Sequence, residues 1–153
     1  MKILDALTKE AILADLKATD KKGVLEEMVI PVAKIAGINQ AELVKVLMER
    51  ERLGSTGIGE GIGIPHGKMK GLESLILGFG LSRKGVDFDS MDGLPVHIFF
   101  LLITPENSTG LHLKLLARIS RILKNDPFKE KLKRAANRDE IYLIIKEEEE
   151  EEF

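Results

Sequence analysis

The sequence predicts an α/β fold in which a single mixed β-sheet is flanked by helices on both faces. Two short apolar runs near the middle, "SLILGFGLS" and "VHIFFLLIT", are bounded by Gly, Pro, Asp and Asn, the pattern of buried strands. Segments of helical periodicity lie before and after them, so one sheet must serve helices from both ends of the chain. No repeat of about 20 to 50 residues and no Pro/Gly/Ser-rich linker divides the chain. Residues 1–153 therefore read as one domain with an acidic tail at 147–153. A domain of that size buries roughly 68–70% of its unfolded surface and needs no covalent staple.

The elements follow in order. Asp20 precedes "KKGVLEEMVIPVAKIAG", where Val24, Met28, Val29, Val32 and Ile35 recur at helical spacing, and Pro31 predicts a kink or a split. Asn39, with Glu42 three residues on, predicts the start of a helix over "QAELVKVLMERER" that stops before Gly54, with Arg50 in its last turn. "GVDFDSMDGLP", between the two buried runs, reads as a short strand and a turn. "LHLKLLARISRIL" places Leu111, Leu115, Ile119 and Ile122 on one helix face. "DPFKEKLKRAAN" opens with Asp126 as N-cap and Pro127 at the first helical position, and "RDEIYLIIKEEE" closes the chain as a helix.

Composition excludes several function classes. With no cysteine there is no disulfide, zinc-thiolate site or cysteine nucleophile, and only three histidines and the carboxylates remain for a metal; no metal or cofactor is expected. The first 23 residues carry charges every few positions without a leader-type apolar stretch. No run approaches the roughly 20 apolar residues of a membrane span, so the sequence predicts a cytoplasmic protein without direct membrane insertion. Six of the 25 acidic residues form the run Glu147–Glu152, leaving 23 bases against 19 acids, or +4, in residues 1–146. That run reads as a solvated helix end or tail. Trp is absent, Tyr occurs once and the bases are not interleaved with aromatics, so no nucleic-acid surface is expected.

The segment "GSTGIGEGIGIPHGK", residues 54–68, gathers six glycines around His66. A phosphate loop ending at Lys68 would need Gly and Ser or Thr where Ile62 and Met69 stand. A dinucleotide fingerprint would need glycine where Ile62 or Ile64 stands, and neither the nucleophile elbow nor a helical zinc spacing occurs. Two readings stay open on spacing alone. Alternating glycines can present successive N–H groups to an anion, with Ile58, Ile62 and Ile64 as anchors beneath; equally, the stretch is a strand and turn around a satisfied histidine. His97, inside "PVHIFF", reads as a satisfied strand histidine.

"RERLGSTGIGEGIGIPHGK" resembles the phosphorylation-site signature of the IIA components of the bacterial phosphoenolpyruvate-dependent phosphotransferase system, in the class of fructose, mannitol and nitrogen-regulatory members. The likeness continues through "DFDSMDGLPVHIFFLLITPE" and "HLKLLARISRIL" and spans about Lys21 to Ile145. It implies that His66 accepts a phosphoryl group on Nε2 from the phosphohistidine of the carrier HPr and passes it to a IIB component, in fructose-type sugar uptake. The alternative within the class is a nitrogen-regulatory signalling protein whose phosphorylation state selects regulatory partners. By matching position, Arg50 and His112 are implied as active-site residues, and Thr56 as a phosphate-binding position near the ring. An exposed apolar rim for protein partners is expected, with Ile62, Ile64, Met69 and Met91 as candidates, although core filling suits the isoleucines better.

Overall fold

Two long strands, β5 (Ile76–Val86) and β6 (Val96–Pro105), form the hairpin around which the sheet is built; apart from His97, every residue of β6 is buried. The structure, a computed structural model, describes residues 1–153. Before the hairpin run α1 (Ile3–Ala6), β1 (Leu7–Leu13), α2 (Lys21–Ala36), α3 (Gln40–Arg52), β2 (Gly57–Gly59), β3 (Ile62–Gly63) and β4 (His66–Met69). After it come α4 (Thr109–Ile122), α5 (Asp126–Arg134) and α6 (Arg138–Glu152). β5 and β6 are antiparallel, β1 joins β5 in parallel, β3 and β4 join β6 in parallel, and β2 closes a hairpin on β3. The sheet is mixed, as expected.

β3 and β4 are one interrupted ribbon along β6. Ile62 pairs with Ile98, Gly63 with Phe99, His66 with Leu102 and Met69 with Pro105, a single register broken only at Ile64–Pro65. Proline offers no N–H to a ladder, but its carbonyl still accepts from Leu102 N–H at 2.9 Å. Successive residues of β4 face opposite layers. Gly67 lies against Val46 of α3, and His66 lies beside His112 of α4. α2 and α3 make one layer; α4, α5 and α6 make the other, and a core of 41 buried apolar residues fills both interfaces.

Several local expectations need correction. Pro31 does not split α2, because Val24, Leu25, Met28, Val29, Val32 and Ala33 are buried on both sides of it and their packing holds the two halves in one helix. The buried stripe of α4 is His112, Leu115, Ile119 and Ile122, and Leu111 lies 36% exposed. Asn125, not Asp126, caps α5, its side chain accepting from Phe128 N–H at 3.1 Å. α1 and β1 were not legible in the charged start of the chain. No helix is long and apolar enough to cross a membrane.

The terminal glutamate run is a helix end, but two of its members are buried. Glu149 accepts from the N–H groups of Ile3 at 2.8 Å and Leu4 at 3.2 Å and from Arg118 Nε at 2.8 Å, so it satisfies amide donors that α1 itself cannot. Glu148 accepts from Asn125 Nδ2 at 3.0 Å; burial first, then Glu151 and Glu152, raises its pKa above the ordinary carboxylate value. Glu149→Ala leaves the buried Ile3 N–H without a partner and is expected to destabilise the fold by about 2 kcal/mol in denaturant unfolding. The exposed neighbour Glu150→Ala should stay within about 0.5 kcal/mol.

Candidate active site

β4 pairs with β6 and with no strand on its other side, so His66 stands on an open edge of the sheet. The ring is partly buried, and its Nδ1 lies 2.7 Å from the Ile64 carbonyl. A carbonyl only accepts, so Nδ1 carries the proton and the lone pair sits on Nε2, which bonds to no protein group. Burial lowers the His66 pKa below its ordinary 6.5, Arg50 acts in the same direction, and the Ile64 hydrogen bond and Glu51 oppose them. The ring is therefore neutral at pH 7.

Arg50 approaches from the α3 face. It lies in the last turn of that helix, its Nη1 donates to the Gly54 carbonyl at 2.9 Å, and it shares a cleft of about 710 Å³ with Val46, Leu53, His66, Gly67 and Lys68. The absence of a side chain at 67 makes this approach possible, since a Cβ there would come within 2.9 Å of Val46 Cγ1. His112 approaches from the other face, in the first turns of α4, with its ring centroid 5.3 Å from that of His66 and the planes at 63°. Its Nδ1 lies 2.8 Å from Thr104 Oγ1. Burial, then His66 and Lys68, pushes its pKa down to about 4. Lys68, on the same face of β4 as His66, donates to Thr109 Oγ1 at 2.7 Å across the start of α4. Arg50, Lys68 and the positive end of α4 thus surround two neutral rings, a setting that favours an anion.

Thr56 is buried, and both its N–H, at 3.0 Å, and its hydroxyl donate to Glu51. Its donor is thus engaged behind the cleft, where the resemblance implies a contact with phosphate. Glu51 and Lys21, which pair at 3.0 Å in largely buried positions, escaped the sequence reading. Their signal was the four-residue spacing Leu43, Leu47, Glu51, which sets a carboxylate on the buried stripe of α3. Through Thr56 the pair supports the histidine: the Thr56 carbonyl accepts from Ile64 N–H at 3.0 Å, and the Ile64 carbonyl accepts from His66.

The glycines serve shape more than anion binding. Glu60 and Gly61, with φ of 58° and 79°, form the two-residue turn joining β2 to β3. The N–H groups of Gly57, Glu60 and Ile64 are spent on Ser55, Asp92 and Thr56. Ile62, Ile64 and Met69 are buried in the core, Ile58 is 48% exposed and anchors nothing, and Met91 is 81% exposed. Leu53, 84% exposed and on the cleft itself, is the rim residue the sequence reading missed. His97 donates from Nδ1 to the Ser82 carbonyl at 2.8 Å, a satisfied strand histidine.

A mixed six-stranded sheet with helices on both faces is the architecture of the IIA proteins of the phosphoenolpyruvate-dependent phosphotransferase system. The chain belongs to the family described as "Phosphoenolpyruvate-dependent sugar phosphotransferase system, EIIA 2", whose model matches residues 5–148. It is 41% identical over 145 residues to a nitrogen regulatory protein of Bradyrhizobium diazoefficiens, covering 95% of both chains. It is 38% identical over 146 residues to the fructose-specific EIIABC component of Bacillus subtilis, covering 95% of this chain and 23% of that protein. The crystal structure of the nitrogen regulatory protein IIA-Ntr from Neisseria meningitidis superposes with a TM-score of 0.87 at 33% identity, over 92% of this chain and 97% of that one.

In an NMR titration of the imidazoles, His112 should show a midpoint near 4 and His66 one below 6.5, both rings losing their charge as pH rises through those values. A midpoint for His112 at 6 or above would contradict the burial described.

Proposed function

We propose that His66 is the phosphoryl acceptor of a IIA-type relay, taking the group from the phosphohistidine of an HPr-type carrier and surrendering it to a second protein. The observation that carries this reading is the bare Nε2 of His66, held outward by the bond from Nδ1–H to the Ile64 carbonyl, in a cleft shared with Arg50. The Nε2 lone pair attacks phosphorus, the donor's P–N bond breaks, and its electron pair returns to the donor imidazole. Nδ1–H keeps its carbonyl throughout and no proton moves on His66. Phosphoryl transfer is largely positioning and charge stabilisation, and Arg50 supplies a planar fork for two of the three equatorial oxygens. The partners are macromolecules, which suits an edge site with Leu53 standing exposed on the cleft.

The receiver defines two readings. The nitrogen-regulatory one is supported by the 41% identical relative, which matches over nearly the full length of both chains. Transfer to a IIB component for fructose uptake is supported by the 38% identical EIIABC relative, of which this chain matches 23%. Incubation with phosphoenolpyruvate, enzyme I and HPr should place acid-labile phosphate on the protein. A cognate IIB that drains this label onto sugar supports transport, whereas phosphorylation-dependent capture of a regulatory protein without drainage supports signalling.

His66→Ala should abolish labelling, and label that persists in that variant would falsify the assignment. Arg50→Ala should slow labelling by about 100-fold or more while costing less than about 1 kcal/mol of stability, because the side chain is partly exposed and packs no core.

A further inference from the structure

The two neighbouring imidazoles, His66 and His112, have unlike partners for Nδ1. His66 faces a carbonyl, which can only accept. His112 faces the hydroxyl of Thr104, which can do either. Thr104 lies on β6 in register with Lys68, is fully buried, and its Oγ1 makes no side-chain hydrogen bond besides the one to His112.

The direction of that bond follows from where the hydroxyl hydrogen can go. If Nδ1–H donated to Oγ1, the Thr104 hydrogen would be left without an acceptor in a dry interior, a loss with nothing to offset it. Ser90 Oγ is the one buried side-chain polar atom left without a partner, so the fold tolerates few such orphans. If both ring nitrogens were protonated, a cation would be buried beside Lys68. The remaining arrangement has Thr104 donating to the Nδ1 lone pair. A neutral ring that accepts at Nδ1 carries its hydrogen on Nε2. That atom bonds to no protein group and is not among the buried orphans, so it is open to solvent, on a ring whose centroid lies 5.3 Å from that of His66.

We infer that Thr104 is a positioning residue that holds His112 in the Nε2–H tautomer, so that the paired imidazoles carry opposite tautomers: His66 presents a lone pair to phosphorus, and His112 presents a hydrogen to a phosphoryl oxygen. The functional half rests on the reading of His66 as acceptor; the tautomer itself does not. With the opposite tautomer, His112 would turn a lone pair toward the anionic oxygens and oppose transfer. Removing one such donor from a site that stabilises developing or transferred charge typically costs about 100-fold.

Long-range 1H–15N correlation of the imidazoles at pH 7 in the unphosphorylated wild-type protein decides the first half. Nδ1 of His112 should resonate as an unprotonated, pyridine-type nitrogen and Nε2 as a pyrrole-type one, with the reverse pattern at His66. A protonated Nδ1 on His112 overturns the inference whether or not His66 is ever labelled. Thr104→Val removes the hydroxyl and should release His112 into a tautomer mixture, with labelling by phospho-HPr slowed about 10-fold or more at unchanged KM for the donor; Thr104→Ser should restore both. A Thr104→Val protein that keeps the Nε2–H tautomer and the full rate overturns it too. If the valine variant fails to fold, the wild-type and serine spectra still decide. Label that persists in His66→Ala while the wild-type His112 pattern is as expected would overturn the acceptor assignment and leave the tautomer standing.

Discussion

One hydrogen bond, from Nδ1–H of His66 to the carbonyl of Ile64, determines what the cleft can do. It chooses the tautomer and so decides which nitrogen holds a free electron pair. The bond is available because Ile64 turns its N–H and carbonyl away from β6: the N–H donates to Thr56 and the carbonyl takes the ring, while the carbonyl of Pro65, the next residue, accepts from Leu102 of β6. Ile64 is in turn held by Thr56, and Thr56 by the buried Glu51 with Lys21. A charged pair placed well inside the protein thus fixes the backbone that fixes the ring. Buried ion pairs are weak contributors to net stability, and this one is better understood through the geometry it imposes.

Three elements from different layers meet at one strand. α3 brings Arg50 round one face, α4 brings His112 over the other, and β4 carries His66 between them. Neutral rings and fixed cations belong together here. Burial first, then Arg50 at His66 and Lys68 at His112, disfavours imidazolium, and the same cations favour an anion beside the rings. Such a site needs no induced change in either ring's protonation before reaction.

Much of the architecture was legible because it rests on local periodicity. β5, β6 and the helices that follow them fall where continuous apolar runs and four-residue spacings put them, and Asn39 caps α3 as its spacing with Glu42 suggests. His66, Arg50 and His112 were legible only as a gapped string, and their meeting around β4 depends on register and layer order, which no window of sequence contains. Thr56 shows the limit: its place in the string pointed toward phosphate, whereas packing gave its hydroxyl to a carboxylate five residues back. β1 and the buried glutamates of α6 were hidden because their meaning lies in contacts between opposite ends of the chain, such as Glu149 with Ile3.

The open flank of β4 carries an obligation of its own. The margin beside His66 is not roofed over by another strand, and a bare strand margin invites unwanted pairing with any extended segment nearby. Here the exposed rung is only four residues long, is preceded by a residue without an amide hydrogen, and bears ammonium groups at 68 and just beyond it at 70. Pro65, Lys68 and Lys70 therefore act as guards against fibre-like stacking, leaving the imidazole at the margin accessible while refusing an extended segment a place in the sheet.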